Sequence, residues 1–158
     1  MRRRLVWLSA IALLALAVAG QAQVDGKDRF RQQIDFAKAK IYPALVHINV
    51  ISERFSAGRT IRVGGGGSGT IIGPGGEVLT NFHVARDASR ITCTLTTGEE
   101  IPADVVGHDP ATDLSILKLR LDERKDPTKA LPFALLGDSD LLKVGDSVIA
   151  VGNPLSLS

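Results

Sequence analysis

The chain has 158 residues, with 19 Lys and Arg against 17 Asp and Glu. Its first 22 residues hold three arginines and no acid, so the remainder carries 16 basic against 17 acidic side chains and gives no sign of a nucleic-acid partner. Roughly 136 residues then remain, enough for one compact domain with a core. Cys93 is the only cysteine, which excludes an intramolecular disulfide, and its place in an alternating stretch predicts a buried core residue.

The first segment has the pattern of a secretory signal peptide. Three arginines precede an apolar run from Leu5 to Val18, and small residues follow at Gly20 and Ala22. The run is shorter than the roughly 20 residues that a membrane-spanning helix needs. We predict a cleaved signal peptide over residues 1–22 and an exported protein, with an uncleaved membrane anchor as the alternative.

A helix is predicted next, over Asp25–Lys40. Apolar residues, among them Phe30 and Ile34, fall on one stripe, and Lys, Arg and Gln occupy the other positions. Pro43 ends the pattern. We therefore assign residues 23–42 to an N-terminal helical segment.

From residue 43 onward the sequence changes to short alternating runs separated by glycine and proline. Strands are predicted at Val46–Val50, Ser68–Ile72, Glu77–Thr80, Ile91–Thr96, Ile101–Val106, Leu114–Leu119 and Ser147–Val151. Exposed loops are predicted at Ser52–Val63 and Leu121–Lys129, and a turn at Gly64–Gly67. Several short strands at this spacing predict an all-β fold, an antiparallel barrel or sandwich.

The glycine-rich stretch does not indicate nucleotide binding. Gly64, Gly66 and Gly69 match G-x-G-x-x-G, but a dinucleotide site needs a strand before the motif and a helix after it. A strand is predicted to follow here, and no lysine completes a phosphate loop. The pattern therefore predicts no nucleotide cofactor.

Two residues fit the chemistry of a serine protease. A serine hydroxyl needs an adjacent base to become a nucleophile, and histidine suits that role because its unperturbed pKa is about 6.5. A carboxylate must in turn hold the imidazole in one tautomer. His83 follows a strand that ends at Asn81, where a short helical turn can begin, and Asp113 opens a strand thirty residues later.

The other candidates have plainer interpretations. His47 alternates with apolar residues and is predicted on a solvated strand face. His108 is predicted in a surface turn, and Asp109, followed by a proline, is predicted as a turn residue. On spacing alone, ordinary structural roles also stay open for His83 and Asp113.

Four motifs together resemble the HtrA/Deg family of trypsin-like serine proteases, in that family's order and at its spacing. They are Gly67–Ile72 (GSGTII), Leu79–Val84 (LTNFHV), Asp113–Lys118 (DLSILK) and Gly145–Pro154 (GDSVIAVGNP). The match covers about residues 40–157. The resemblance implies a chymotrypsin/trypsin-like antiparallel β-barrel over residues 43–158, the first of two barrels, with the second missing.

The resemblance also implies roles and partners. His83 would be the general base and later the acid, and Asp113 would orient and stabilise it. The family's nucleophilic serine lies in a G-N-S-G-G-P motif beyond Asp113, and the 158 residues contain no such motif. The family further implies no metal or organic cofactor, unfolded polypeptide substrates, a homo-oligomer (a trimer) and a periplasmic or cell-envelope location.

We therefore expect a serine endopeptidase of which this chain carries the His and the Asp but not the Ser, and which is inactive on its own. The alternative is a non-catalytic exported β-barrel that binds partners, or a truncated pseudo-protease. The intact pair of His83 and Asp113 favours the protease, because a binding module has no need of it.

Overall fold

The computed structural model describes residues 26–56 and 58–152. Helix α1 covers residues 26–41, in agreement with the prediction, and a 3-10 turn follows at Tyr42–Ala44 with Pro43 in its first turn. The predicted signal peptide lies outside the described residues. No helix in the described ranges has the length and apolar character needed to cross a membrane. The chain divides into two compact units, Met1–Ala37 and Lys38–Ser158.

Six antiparallel strands close into a barrel in the order β1-β2-β3-β6-β5-β4, which confirms the predicted all-β barrel. The strands are β1 (Leu45–Ser56), β2 (Arg59–Ile71), β3 (Glu77–Asn81), β4 (Arg90–Leu95), β5 (Glu100–Asp109) and β6 (Leu114–Leu119), and a short helix α2 (Phe82–Ala85) follows β3. Strand β1 closes the barrel because it pairs with both β2 and β4.

The core consists of the alternate residues that point into the barrel. Those that are fully buried include Ile48, Ile71, Val78, Cys93, Ile101 and Leu117, all 0% exposed. Each large aliphatic side chain removed from water contributes about 1.5–3 kcal/mol to stability. Burial of Cys93 confirms its predicted core position and raises the pKa of its thiol to about 12, so no reactive thiolate forms there.

The predicted loop at Ser52–Val63 and the predicted turn at Gly64–Gly67 are wrong. Strands β1 and β2 instead pair without interruption as one long hairpin. The charged residues of the loop prediction are interspersed with β-favouring residues such as Phe55, Thr60 and Ile61, so they fit a two-stranded ribbon with solvent around it. Glycine is needed at position 67 for packing, because a Cβ there would lie 2.6 Å from a methyl group of Val84.

The predicted strand at Ser147–Val151 is also wrong. These residues have no strand conformation, and no neighbouring strand in the described part of the chain offers them a hydrogen-bonding partner. The apolar side chains of residues 130–152 remain largely in solvent, with Val148 76% exposed. An alternating pattern alone cannot form a strand without a second strand to pair with.

The predicted loop Leu121–Lys129 contains one buried charge that its composition did not reveal. Arg124 is 8% exposed. Its Nη1 donates to the backbone oxygen of Lys129 at 2.6 Å, and its Nη2 donates to Oε2 of Glu99 at 3.3 Å. We call this contact the Arg124–Glu99 clamp, because it fastens the loop to the turn between β4 and β5.

Candidate active site

The barrel register brings His83 and Asp113 to the same end of two neighbouring strands. Strand β3 ends at Asn81, which pairs with Leu114 at the start of β6. Helix α2 begins at Phe82, whose backbone N–H donates to the backbone oxygen of Asp113 at 3.0 Å. Two residues thirty positions apart in sequence therefore become direct neighbours.

His83 engages both carboxylate oxygens of Asp113. The imidazole Nδ1 lies 2.7 Å from Oδ2, and the backbone N–H of His83 donates to Oδ1 at 3.0 Å. Because a carboxylate can only accept, the proton of the neutral imidazole sits on Nδ1. The other nitrogen, Nε2, is then the basic one and is open to a proton donor.

Asn81 is a site residue that sequence reasoning assigned differently. It was expected to begin the helical turn, but its side chain makes no capping hydrogen bond to α2. Its Nδ2 instead donates to both Oδ2 and the backbone oxygen of Asp113, each at 3.2 Å. The sequence gives no signal for this contact, because it depends on the pairing of β3 with β6.

These contacts keep Asp113 charged at neutral pH. The backbone N–H of His83 is the largest of the contacts that hold the pKa of Asp113 below its usual range, and the imidazole and the amide of Asn81 add to it. Asp113 also has a φ of 56°, in the left-handed region that side chains other than glycine seldom adopt. The side chains of His83 and Asp113 are 64% and 44% exposed, so a polypeptide can reach them.

His47 does not lie on a solvated face, as the sequence predicted. It is 9% exposed, and its Nε2 is 3.1 Å from Oδ1 of Asn49. The neighbouring strand has Gly66 beside it, where a Cβ would come within 3.3 Å of the imidazole. The ring therefore packs against bare backbone, which an alternation pattern cannot show.

His108 and Asp109 are the last two residues of β5, not part of a surface turn. The ring of His108 is exposed but not isolated, because its Nδ1 is 2.7 Å from Oγ of Ser115. Asp109 accepts hydrogen bonds from the backbone N–H of Ala111 at 3.1 Å and the hydroxyl of Thr112 at 2.7 Å. It therefore caps the turn that leads to Asp113.

Among the described residues, no nucleophilic side chain contacts the imidazole of His83. No hydroxyl or thiol of residues 26–56 or 58–152 is hydrogen bonded to Nε2 of His83. The hydroxyl of Ser115 lies near an imidazole, yet Ser115 is 1% exposed and a peptide bond cannot reach it. The same residues contain no cluster of three or more His, Cys, Asp or Glu that could hold a metal ion.

A shallow groove of about 210 Å³ adjoins His83. It lies between α2 and the β1–β2 hairpin, and its lining includes Val50, Arg54, Gly65, His83 and Arg86. The imidazole thus faces open space on one side and the carboxylate on the other.

Three comparisons with known proteins point the same way. A family model described as "Trypsin-like peptidase domain" matches residues 67–158. The chain is 43% identical over 91 residues to "Probable periplasmic serine endoprotease DegP-like" of Chlamydia pneumoniae, covering 58% of this chain and 17% of that protein. It is also 43% identical over 88 residues to the protein so named in Rickettsia conorii, covering 56% and 16%.

A solved structure described as "HtrA-type protease AlgWS227A with decapeptide" has a similar fold. The TM-score is 0.61 at 29% sequence identity, and the match covers 71% of this chain and 38% of that chain. The chain therefore spans less than half the length of this structure and about a sixth of the curated relatives it matches.

Proposed function

Since the chain belongs to the trypsin-like peptidase family, of HtrA/Deg type, we propose that it contributes the general base and the orienting carboxylate of a serine endopeptidase. The observation that carries the proposal is the 2.7 Å contact between Nδ1 of His83 and Oδ2 of Asp113, with Nε2 left accessible. This arrangement is the one that activates a serine hydroxyl in such enzymes.

The proposed reaction begins when Nε2 of His83 takes the proton of a serine hydroxyl as its oxygen attacks the peptide carbonyl carbon. The imidazolium formed is stabilised by Asp113, whose carboxylate accepts the Nδ1 proton in a hydrogen bond. His83 then gives its proton to the leaving amine, which leaves an acyl-serine ester. A water molecule, deprotonated by the same nitrogen, hydrolyses the ester, and the serine regains its proton.

We place the nucleophilic serine in a second barrel. What supports this placement is the apolar surface that follows β6. Its most exposed members include Leu135 (84%), Leu136 (70%), Leu141 (74%) and Val148 (76%). An exposed apolar surface of this kind marks a site of contact with another folded unit.

The substrates, assembly and location we propose follow the resemblance to the HtrA/Deg family. Unfolded or damaged exported polypeptides are the proposed substrates, the periplasm or cell envelope the proposed location, and a homo-oligomer, a trimer, the proposed assembly. The name "periplasmic serine endoprotease" of the curated relatives supports the location and the class of reaction.

The first test is to sequence the coding DNA through and beyond codon 158, and to express both this chain and any in-frame extension. A fluorophosphonate probe should label the longer product at a serine and leave the 158-residue chain unlabelled. His83→Ala should abolish labelling of the longer product, whereas Asp104→Asn, at an exposed carboxylate on β5, should not.

A stop codon directly after Ser158 would overturn the proposal in favour of a non-catalytic β-barrel that binds partners. So would a longer His83→Ala product that is labelled and cleaves unfolded casein as fast as the unmodified protein.

A further inference from the structure

We propose that His108 is a positioning residue that holds His83 and Asp113 in register. The inference rests on the proposed function. It adds a residue that acts on each member of the pair through one intermediate residue. His108 touches neither of them directly. It instead contacts Phe82, which directly precedes His83, and Ser115, which lies two residues after Asp113 on β6.

The first contact fixes the strand that presents Asp113. Nδ1 of His108 is 2.7 Å from Oγ of Ser115, and the two residues are directly opposite each other in the β5–β6 ladder. Ser115 is 1% exposed, so its hydroxyl has no solvent to replace this partner. Asp113 lies in the turn between β5 and β6, two residues before Ser115. The hydrogen bond therefore joins the two strands where this turn begins and ends.

The second contact supports the helical turn that presents His83. The imidazole of His108 meets the ring of Phe82 edge to face, with ring centres 5.3 Å apart and an angle of 76° between the planes. Such aromatic pairs contribute beyond the area that they bury. Phe82 immediately precedes His83, and its backbone N–H is the donor to the backbone oxygen of Asp113. The imidazole of His108 therefore contacts both the strand that presents Asp113 and the helical turn that presents His83.

The backbone near His108 is irregular on both sides of the turn, so supporting side-chain contacts matter here. The pairing of β5 with β6 shifts register between Val105 and Gly107, just before His108, and such an irregularity re-aims the side chains that follow. At the other end of the turn, Asp113 adopts its left-handed φ of 56°. A side chain in that conformation persists only where surrounding contacts hold it.

The test uses the isotope-labelled 158-residue chain and two nuclear magnetic resonance measurements. One is the rate at which the Nδ1 proton of His83 exchanges with solvent, and the other is the titration of the Asp113 carboxyl carbon. His108→Ala and Ser115→Ala should each speed proton exchange about tenfold, the ratio expected for loss of one hydrogen bond. Both variants should move the pKa of Asp113 up toward its usual value.

Three variants separate positioning from general loosening. His108→Phe keeps a ring against Phe82 and should restore part of the protection lost in His108→Ala. Ser115→Ala removes only a hydroxyl, so it keeps the test decisive if His108→Ala fails to fold. Asp104 lies on the same strand as His108, β5, but away from the turn. Asp104→Asn breaks its contact with Arg120 and should change neither measurement.

The proposal is overturned if folded Ser115→Ala has the proton exchange and the Asp113 titration of the unmodified chain, or if Asp104→Asn alters them as much. Neither measurement involves a serine nucleophile. Failure of fluorophosphonate labelling in the longer product would therefore count against the proposed function without touching this inference, and unchanged resonances would count against this inference alone.

Discussion

Two contacts in this barrel join a nitrogen donor to a carboxylate but have opposite surroundings. The pair of His83 and Asp113 is open to solvent, with side chains 64% and 44% exposed. The Arg124–Glu99 clamp is enclosed, with side chains 4% and 15% exposed. A contact that must meet a substrate has to stay accessible, whereas one that fastens a loop to the barrel can be buried. The first should therefore govern activity and the second stability.

The largest effect is expected for Asp113→Asn in the longer product that we propose. An amide in place of the carboxylate can favour the wrong imidazole tautomer, so the rate of peptide hydrolysis should fall by about 10⁴-fold. The free energy of unfolding should change little, because an exposed pair contributes at most about 1 kcal/mol. Steady-state kinetics and urea unfolding of the same sample measure both quantities. A variant that keeps a tenth of the activity would contradict the assignment of Asp113.

Breaking the Arg124–Glu99 clamp should have the opposite effect, a large loss of stability with no change at the candidate site. Glu99→Gln leaves the buried guanidinium of Arg124 without its charged partner, and loss of one member of a buried pair costs about 3–5 kcal/mol of unfolding free energy. The geometry of the distant pair of His83 and Asp113 should be unchanged, which the Nδ1 resonance of His83 reports. Urea unfolding of the 158-residue chain measures the loss.

Arg62→Gln is the matched control for the clamp. Arg62 forms an ion pair with Glu53 at 3.2 Å, but the two side chains are 76% and 45% exposed. Its loss should lower the free energy of unfolding by less than about 1 kcal/mol. Equal losses for Arg62→Gln and Glu99→Gln would show that burial does not separate these contacts.

The smallest effect should appear in the dependence of stability on pH. The Arg124 guanidinium is the main cause that holds the pKa of Glu99 below its usual range, and the pKa of Asp113 is lowered as well. The unfolded chain therefore binds more protons than the folded chain in acid, so stability is complete above about pH 5 and declines as the pH falls below it. Glu99→Gln should show a shallower decline between about pH 5 and pH 2. A slope identical to that of the unmodified chain would contradict the assignment.

The sequence predicts the barrel because its signal is local. Alternation and turn residues locate six of the seven predicted strands, and four of them, β3 to β6, match at both ends to within three residues. The hairpin extension was missed because Arg, Glu and Gly at Ser52–Gly67 resemble a loop in composition, although they suit a solvated ribbon. The strand at Ser147–Val151 was overpredicted because a strand also requires a partner that its own residues cannot specify.

The candidate site also contains residues that the sequence predicted and contacts that it did not. The motifs around His83 and Asp113, which resemble those of the HtrA/Deg family, pointed to both residues, and the structure places their side chains in contact. The supporting contacts of Asn81 and His108 depend on which strands are neighbours and on the register between them. Those facts arise from residues distant in sequence, so no local pattern contains them. Catalytic use of the pair remains a proposal for the labelling experiment.

Gly67 influences the position of His83 through its packing against helix α2. Directly above Gly67 lie the methyl groups of Val84, so helix α2 rests on bare backbone at this point of the barrel wall. A side chain at position 67 could change rotamer and let α2 move toward or away from the barrel wall. The backbone of a hydrogen-bonded sheet cannot move in this way. An added methyl group at position 67 would lie 2.6 Å from a methyl group of Val84, so the side chain that directly follows His83 in α2 would have to shift.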